Sequence, residues 1–229
     1  MKIALLYAVS KYDQHLVPEL LKKMDFVDDT IVYDDTNSTG IWRHHGGEIN
    51  NALLSQAHKR KFDWVLCIDP DERIMPSDID RIKNIVKEDT ERKTVYQFHV
   101  RDLFSFDKYR VDGKWGRKQK KILFPIRKEN KYRNKFIHSQ WNPINSFYKL
   151  KRTNMTIWHL KHISKKAEEQ RRKIFELHDK NRKGDIYSYL TDRSNMILKD
   201  VPKEVKDMLI NEFGDESYFD KNLVDFDKK

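Results

Sequence analysis

Apolar residues in the first ninety positions come in short continuous runs separated by amphipathic stretches. Ile3 to Val9 and Trp64 to Ile68 are such runs, and an unbroken apolar run suits a strand covered on both faces by helices; Thr30 to Tyr33 reads as a further strand between them. Between them the spacing becomes helical. His15 to Met24 places Leu16, Leu20 and Leu21 on one side, with Pro18 tolerated in the first turn. Glu48 to Lys61 aligns Ile49, Leu53, Gln56 and Ala57, and Asp78 to Glu88 aligns Ile79, Ile82, Ile85 and Val86 behind Ser77 as the expected N-cap. Strand and helix therefore alternate three times, which predicts a mostly parallel sheet with helices on both faces. In such sheets ligands collect at the carboxyl ends of the strands, where Ser10, Asp34, Asp35, Asp69 and Asp71 fall.

From Thr94 the texture changes. Val95 to Val100 and Ile122 to Ile126 read as strands flanking a polar, aromatic stretch. Ile137 to Ser139 and Met155 to His159 read as further short strand or turn segments. Lys165 to Lys183 is a highly charged helix anchored by Ala167, Ile174, Phe175 and Leu177, and Lys203 to Glu212 carries a moderate helical pattern. The expected fold class is α/β: a mixed, mostly parallel central sheet flanked by helices, with a helical extension at the C-terminus. The expected domains are residues 1–163, divided into a first half 1–92 and a second half 93–163, and a helical extension 164–229 packed on them.

Charge and cysteine content narrow the chemistry. Lys and Arg number 46 against 36 Asp and Glu, a formal charge of +10, which predicts attraction to phosphorylated or otherwise anionic partners. The single cysteine, Cys67, excludes an internal disulfide and a multi-cysteine zinc site, and its place inside an apolar run makes it a small buried hydrophobe. Lys11, Tyr12 and Asp13 interrupt the first apolar run, and no stretch approaches the ~20 apolar residues of a membrane span. A cytoplasmic protein without a signal peptide is expected.

The strongest chemical signal is Asp69-Pro70-Asp71-Glu72 directly after the third apolar run. Three carboxylates within four residues repel one another unless they lie in an exposed turn or a cation sits among them. Oxygen ligands of this kind suit Mg2+ or Mn2+, often shared with substrate phosphates.

Taken together, Asp63 to Glu72, the Asp34-Asp35 strand end and the Asn-bearing helix resemble the N-terminal half of a GT-A (Rossmann-like) glycosyltransferase, and more narrowly the family 2-like enzymes with an Asp-x-Asp-Glu motif. Lys120 to Pro125, Phe136-Ile137-His138 and Ile157 to Leu160 are similar, in order, to that family's Leu-Phe-Arg, His-Glu and strand-His elements, so the resemblance covers roughly residues 1 to 180. It implies an enzyme that moves a sugar from a nucleotide-diphosphate donor, UDP-linked foremost, to a hydroxyl of a glycan or glycoconjugate, with inversion and with Mn2+ or Mg2+. It also implies residue roles. Ala8, Val9 and Ser10 pack against base and ribose, Asp34 reads the base with Asp35 beside it, and Asn51 stands on the helix before the central strand. Asp71 ligates the metal, Asp69 faces the ribose and shares the metal through water, and Glu72 braces the loop. A third metal ligand is His159, with His138 and His162 as rivals. The general base that an inverting transfer requires is Asp102 or Asp112, both in the stretch where the acceptor enters. The interleaved aromatics of Tyr109 to Gly116 would stack on sugar rings.

This chain departs from the family at three places. Asn50 stands where Arg is usual, with Arg43 as a substitute; Thr39 stands where an acid is common; and Ser139 follows His138 where Glu is common. Two other classes compete. A nucleotidyltransferase would carry a glycine-rich phosphate loop, and Ile3 to Asp13 contains no glycine. A nucleic-acid-binding module would be suggested by the basic blocks His58 to Lys61, Arg117 to Lys121 and the 165–183 helix, but acids are interspersed in that helix and no recognition motif accompanies them, so no nucleic-acid partner is expected. A peripheral membrane contact through the thin apolar face of the basic helix is the remaining expectation.

Overall fold

The computed structural model describes residues 1–37, 46–132, 143, 148–178 and 193–222. The predicted segments Ile137 to Ser139, and the positions Thr39, Arg43 and His138, lie outside them. The strands are β1 (Ile3–Ser10), β2 (Asp29–Asp35), β3 (Trp64–Cys67), β4 (Glu72–Ile74), β5 (Thr94–Asp102), β6 (Lys108–Arg110), β7 (Gln119–Pro125), β8 (Lys149–His159) and β9 (Leu198–Asp200). The helices are α1 (Val17–Lys23), α2 (Gly46–Lys59), α3 (Pro76–Glu88), α4 (Lys165–His178), α5 (Lys203–Phe213) and α6 (Ser217–Lys221). Seven strands form one mixed, curled sheet in the order β2-β1-β3-β7-β5-β8-β4, and β6 pairs with β9 in a second, two-stranded sheet. Flanked by helices, the central sheet is Rossmann-like.

β1 runs parallel to β2 on one side and to β3 on the other. The sheet changes sense at β7, which is antiparallel to both β3 and β5. Burial follows the sequence pattern closely. All four residues of β3 and seven of the eight in β1 are buried, as continuous apolar runs require, whereas β5 alternates. On α3, Ile79, Ile82 and Val86 turn inward, at the predicted spacing.

Several boundaries differ from expectation. α3 begins at Pro76 with Met75 in the N-cap position, so Ser77 is not the cap: the fixed φ of proline pre-forms the first helical turn two residues earlier. β8 begins at Lys149, not Met155, because its first six residues are exposed or half-exposed and mostly polar, so they carry no apolar signature. The three-residue strands β4, β6 and β9 are too short for any periodicity to reveal. No helix among the described residues is long and apolar enough to cross a membrane.

The chain forms two compact units, one of residues 1–99 and 119–157, the other of residues 100–118 and 158–229. The first holds the carboxyl ends of β1, β2 and β3. The second holds the turn after β5, the β6–β9 pair and the C-terminal helices.

Candidate functional site

In the first unit the parallel register decides what meets. Val9 pairs with Asp34 and Ser10 with Asp35, while Cys67 pairs with Leu6, so that Asp69 emerges beyond β3 at the level where Ala8 runs in β1. Ala8, Val9, Ser10, Asp34, Asp35, Asp69 and Asp71 thus share one sheet edge. Ser10 is buried and closes the following loop: its hydroxyl donates to Asp13 Oδ2 at 3.0 Å and accepts from the Tyr12 amide at 3.3 Å. Asp34 accepts from the hydroxyl and the amide of Thr36, an Asx turn whose hydrogen bonds lower its carboxyl below the ordinary value. Asp35 is buried beside it. Asn51 has a packing role: its amide donates to Tyr132 O at 3.1 Å and its oxygen accepts from Tyr132 N at 2.8 Å, tying α2 to the chain beyond β7.

The turn after β3 is built from opposite charges. Glu72 Oε2 accepts from the Asp69 amide at 2.9 Å, and the Glu72 amide donates to Asp69 O at 3.0 Å, so Glu72 braces the loop. Arg73, with no exposed surface, donates to Pro70 O, Glu72 O and Leu16 O at 2.7–3.1 Å. From β7, the Lys120 ammonium donates to Asp69 Oδ2 at 2.6 Å and to both carboxylate oxygens of Glu72 at 2.7 Å. Burial alone would lower the Lys120 pKa, but Asp69 and Glu72 override it and hold the ammonium above the ordinary lysine range. One buried and one partly buried cation thus stand beside three carboxylates. Nearby, burial lowers the pKa of His15, with Asp13, Arg73 and Asp71 as weaker influences.

This arrangement bears on the expected metal. Lys120 engages Asp69 and Glu72, and among the described residues no three His, Cys, Asp or Glu side chains form a group that could hold an ion by themselves. Mg2+ and Mn2+ are commonly bound by one or two carboxylates plus substrate phosphates, and the buried Asp71 in this turn fits that mode.

The second unit gathers Asp102, Lys118 and His159. Asp102 has no exposed surface; its two oxygens accept from Lys118 Nζ at 2.9 and 3.0 Å, and Oδ1 lies 2.7 Å from His159 Nδ1. Burial would raise the Asp102 carboxyl, but Lys118 and His159 outweigh it and hold it well below the carboxylate range. An ionised Asp102 assigns the imidazole proton to Nδ1 and the lone pair to Nε2. With both oxygens engaged, Asp102 is suited to orienting His159 and poorly suited to taking a proton itself. Asp112 is likewise committed. It accepts from Arg110 Nε at 2.8 Å and from the Ile197 amide at 3.1 Å, and the Arg110 bond holds its carboxyl below the ordinary value.

The aromatics of this stretch are not open platforms. Trp115 is buried, edge-on to Phe104 and His162, with the Arg110 guanidinium 4.8 Å from its ring centre. His162 is itself enclosed, stacked on Phe104 at 5.1 Å, which is the setting of a core histidine. The turn that presents Trp115 depends on Gly116, where a Cβ would lie 2.2 Å from Val111 O. Gly116→Ala is therefore expected to cost about 1–3 kcal/mol, read as a lowered urea midpoint; an unchanged midpoint would mean that the turn yields freely.

Three functional side chains were not singled out from the sequence: Arg73, Lys118 and Lys120. The two lysines sit in a basic block that reads as surface charge. A signal was present for one of them. Phe98, Val100 and Asp102 share one face of β5, and a carboxylate continuing an inward apolar series demands a buried cation.

No family model and no curated protein matches the chain. Among solved structures it is similar to one described as a glycosyltransferase involved in the glycosylation of the major capsid of PBCV-1, at 17% identity and a TM-score of 0.30, over 43% of this chain and 52% of that one. The chain thus spans about half the length of that protein.

Proposed function

We propose that the chain is a glycosyltransferase that binds a nucleotide-diphosphate sugar, UDP-linked foremost, at the carboxyl edge of β1, β2 and β3, and passes the sugar to a hydroxyl of a glycan or glycoconjugate. The observation that carries this reading is the strand register, which brings Ala8 to Ser10, Asp34, Asp35, Asp69 and Asp71 to one edge of an open α/β sheet, the place where such sheets bind ligands. The residue types suit the donor. The backbone of Ala8 to Ser10 offers a close surface to a flat base, and the carboxylates of Asp34, Asp35 and Asp69 are acceptors for base N–H and ribose hydroxyl groups.

Breaking the glycosidic bond develops negative charge on the departing diphosphate. Asp71 is the residue that would hold a Mn2+ or Mg2+ ion together with the donor phosphates, and such an ion, when bound, supplies charge neutralisation to the leaving group. The acceptor hydroxyl must lose a proton. In the second unit the pair suited to proton handling is His159 with Asp102 positioning it, since the Nδ1–H···carboxylate bond fixes the ring and puts the lone pair on Nε2. The same bond would also prepare His159 as a metal ligand, the role that the resemblance implies.

The test is a melting-temperature panel of UDP, GDP, dTDP and CDP, each with and without Mn2+. A ligand present at ~100 times its dissociation constant adds about 2.7 kcal/mol, or about 5–10 °C for a chain of this size. One nucleotide should raise the melting temperature only when Mn2+ is present, and Asp71→Ala should abolish that rise. If none of the four moves the transition under either condition, the donor reading is lost.

A further inference from the structure

The pairing of β7 with β3 places a lysine where the motif would otherwise need an external cation. Leu66 pairs with Leu123 and Val65 with Phe124, antiparallel, and continuing that register three residues past Leu66 brings Lys120 level with Asp69. On its other side Lys120 pairs with Phe98 of β5, which fixes the lysine's place in the sheet. Its ammonium then meets three carboxylate oxygens at 2.6–2.7 Å, one from Asp69 and two from Glu72. The Glu72 side chain is 3% exposed and that of Lys120 18%, so these charges are largely sheltered from solvent.

We propose that Lys120 is a built-in counter-cation of the Asp69–Glu72 pair, which excludes divalent metal from the bare protein and makes metal uptake conditional on a nucleotide diphosphate. This rests on the donor reading above for its second half only; the exclusion of metal from the bare protein stands on the Lys120 geometry. Like charges repel in inverse proportion to their distance, and a divalent ion bears twice the repulsion that a monovalent one would. An ion approaching Asp69 or Glu72 must therefore displace the ammonium or bear its repulsion. A bound diphosphate changes the balance by adding negative charge and oxygen ligands on the Asp71 side of the turn, so metal and nucleotide enter together. Arg73, fixed on the carbonyls of Pro70 and Glu72, strengthens the same bias against a lone cation.

The experiment is a Mn2+ titration of the full chain without nucleotide, following the free-ion electron paramagnetic resonance signal, for the unmodified protein and Lys120→Met. The Met stem fills about the same volume but removes the ammonium from Asp69 and Glu72. Mn2+ should bind Lys120→Met about tenfold or more tightly than the unmodified protein, and should raise the melting temperature of the variant alone. Adding Glu72→Gln to Lys120→Met should remove the gain. Equal Mn2+ affinity with and without Lys120 overturns the proposal. Should Lys120→Met not fold, Asp69→Asn in the otherwise unmodified chain decides: unchanged weak Mn2+ binding supports the exclusion, and a loss of binding shows that Asp69 already ligates metal despite the lysine. Failure of the nucleotide panel together with a gain in Lys120→Met would sink the donor reading while leaving the counter-cation in place. A metal-dependent nucleotide shift together with equal bare-protein affinities would do the reverse.

Discussion

Replacing Arg73 by methionine is expected to lower the melting temperature by roughly 10 °C, the consequence of losing about 3–4 kcal/mol in a chain of this length. The guanidinium has no exposed surface and donates to three backbone carbonyls, of Pro70, Glu72 and Leu16. Methionine fills most of the stem's volume but donates nothing, so those carbonyls lose their bonds in a place water does not reach. Leaving a buried polar group unsatisfied costs about 1–3 kcal/mol, and neighbouring losses of this kind do not simply add. Function should fall further than stability. Two of the three carbonyls belong to the Asp69–Glu72 turn, and the third, from Leu16, ties that turn to the segment following β1. Without the arginine both sides of the donor edge loosen, so Arg73→Met should also lose the nucleotide-dependent shift at temperatures where it remains folded. Circular dichroism melts with and without nucleotide separate the two effects. A melting temperature within about 2 °C of the unmodified protein would show that the guanidinium is dispensable.

Lys118→Met should be nearly as damaging at neutral pH, about 2–4 kcal/mol, because it strips the principal partner from a wholly buried Asp102 and leaves only the bond to His159. Removing Asp102 should cost less, since Lys118 is partly exposed and water can take over its ammonium. The pH dependence gives the diagnosis. In the unmodified protein the Asp102 pKa is depressed, so its contribution is fully present above the unfolded-chain value near 3.9 and is lost only as pH falls through the lower folded value. Without Lys118, burial pushes that carboxyl up. The variant then gains from protonating Asp102 on moderate acidification. The stability gap between the two proteins should therefore narrow from pH 7 to pH 5, measured by chemical denaturation at each pH. A gap that stays constant or widens would mean that the Asp102 charge is not what Lys118 compensates.

Three of the candidate carboxylate groups are met by a cation that the chain itself carries: Lys120 at the turn after β3, Lys118 at Asp102 and Arg110 at Asp112. The formal charge of +10 is thus not only a surface property. Several of its members are spent inside the fold, where each holds a particular carboxylate in place.

Much of the architecture could be read from local pattern. Continuous apolar runs at Ile3 to Val9 and Trp64 to Ile68 have no stable place except between covering layers, and their alternation with amphipathic helices leaves a parallel arrangement as the outcome. The motif Asp69-Pro70-Asp71-Glu72 was legible for the same reason: the apolar signal stops where the strand leaves the core, so charged residues just beyond it must lie at the ligand edge of the sheet. The bracing role that the resemblance gives Glu72 takes the form of reciprocal bonds with Asp69, three residues before it, that close the turn.

The identity of the cations was settled only by the tertiary structure. Lys120 and Lys118 stand in one basic block, and nothing local distinguishes a solvated lysine from one that a strand register carries onto a carboxylate. That pairing depends on β7 running antiparallel between β3 and β5, a contact between segments some fifty residues apart for Asp69 and Lys120. The same holds for Asp102 and His159, to which the resemblance gives separate tasks and which the fold joins at 2.7 Å. Short-range periodicity reports which residues leave water, because burial is a property of each segment's own apolar face. Which charge neutralises which is a property of register and sheet order, and those are decided only when distant segments pack.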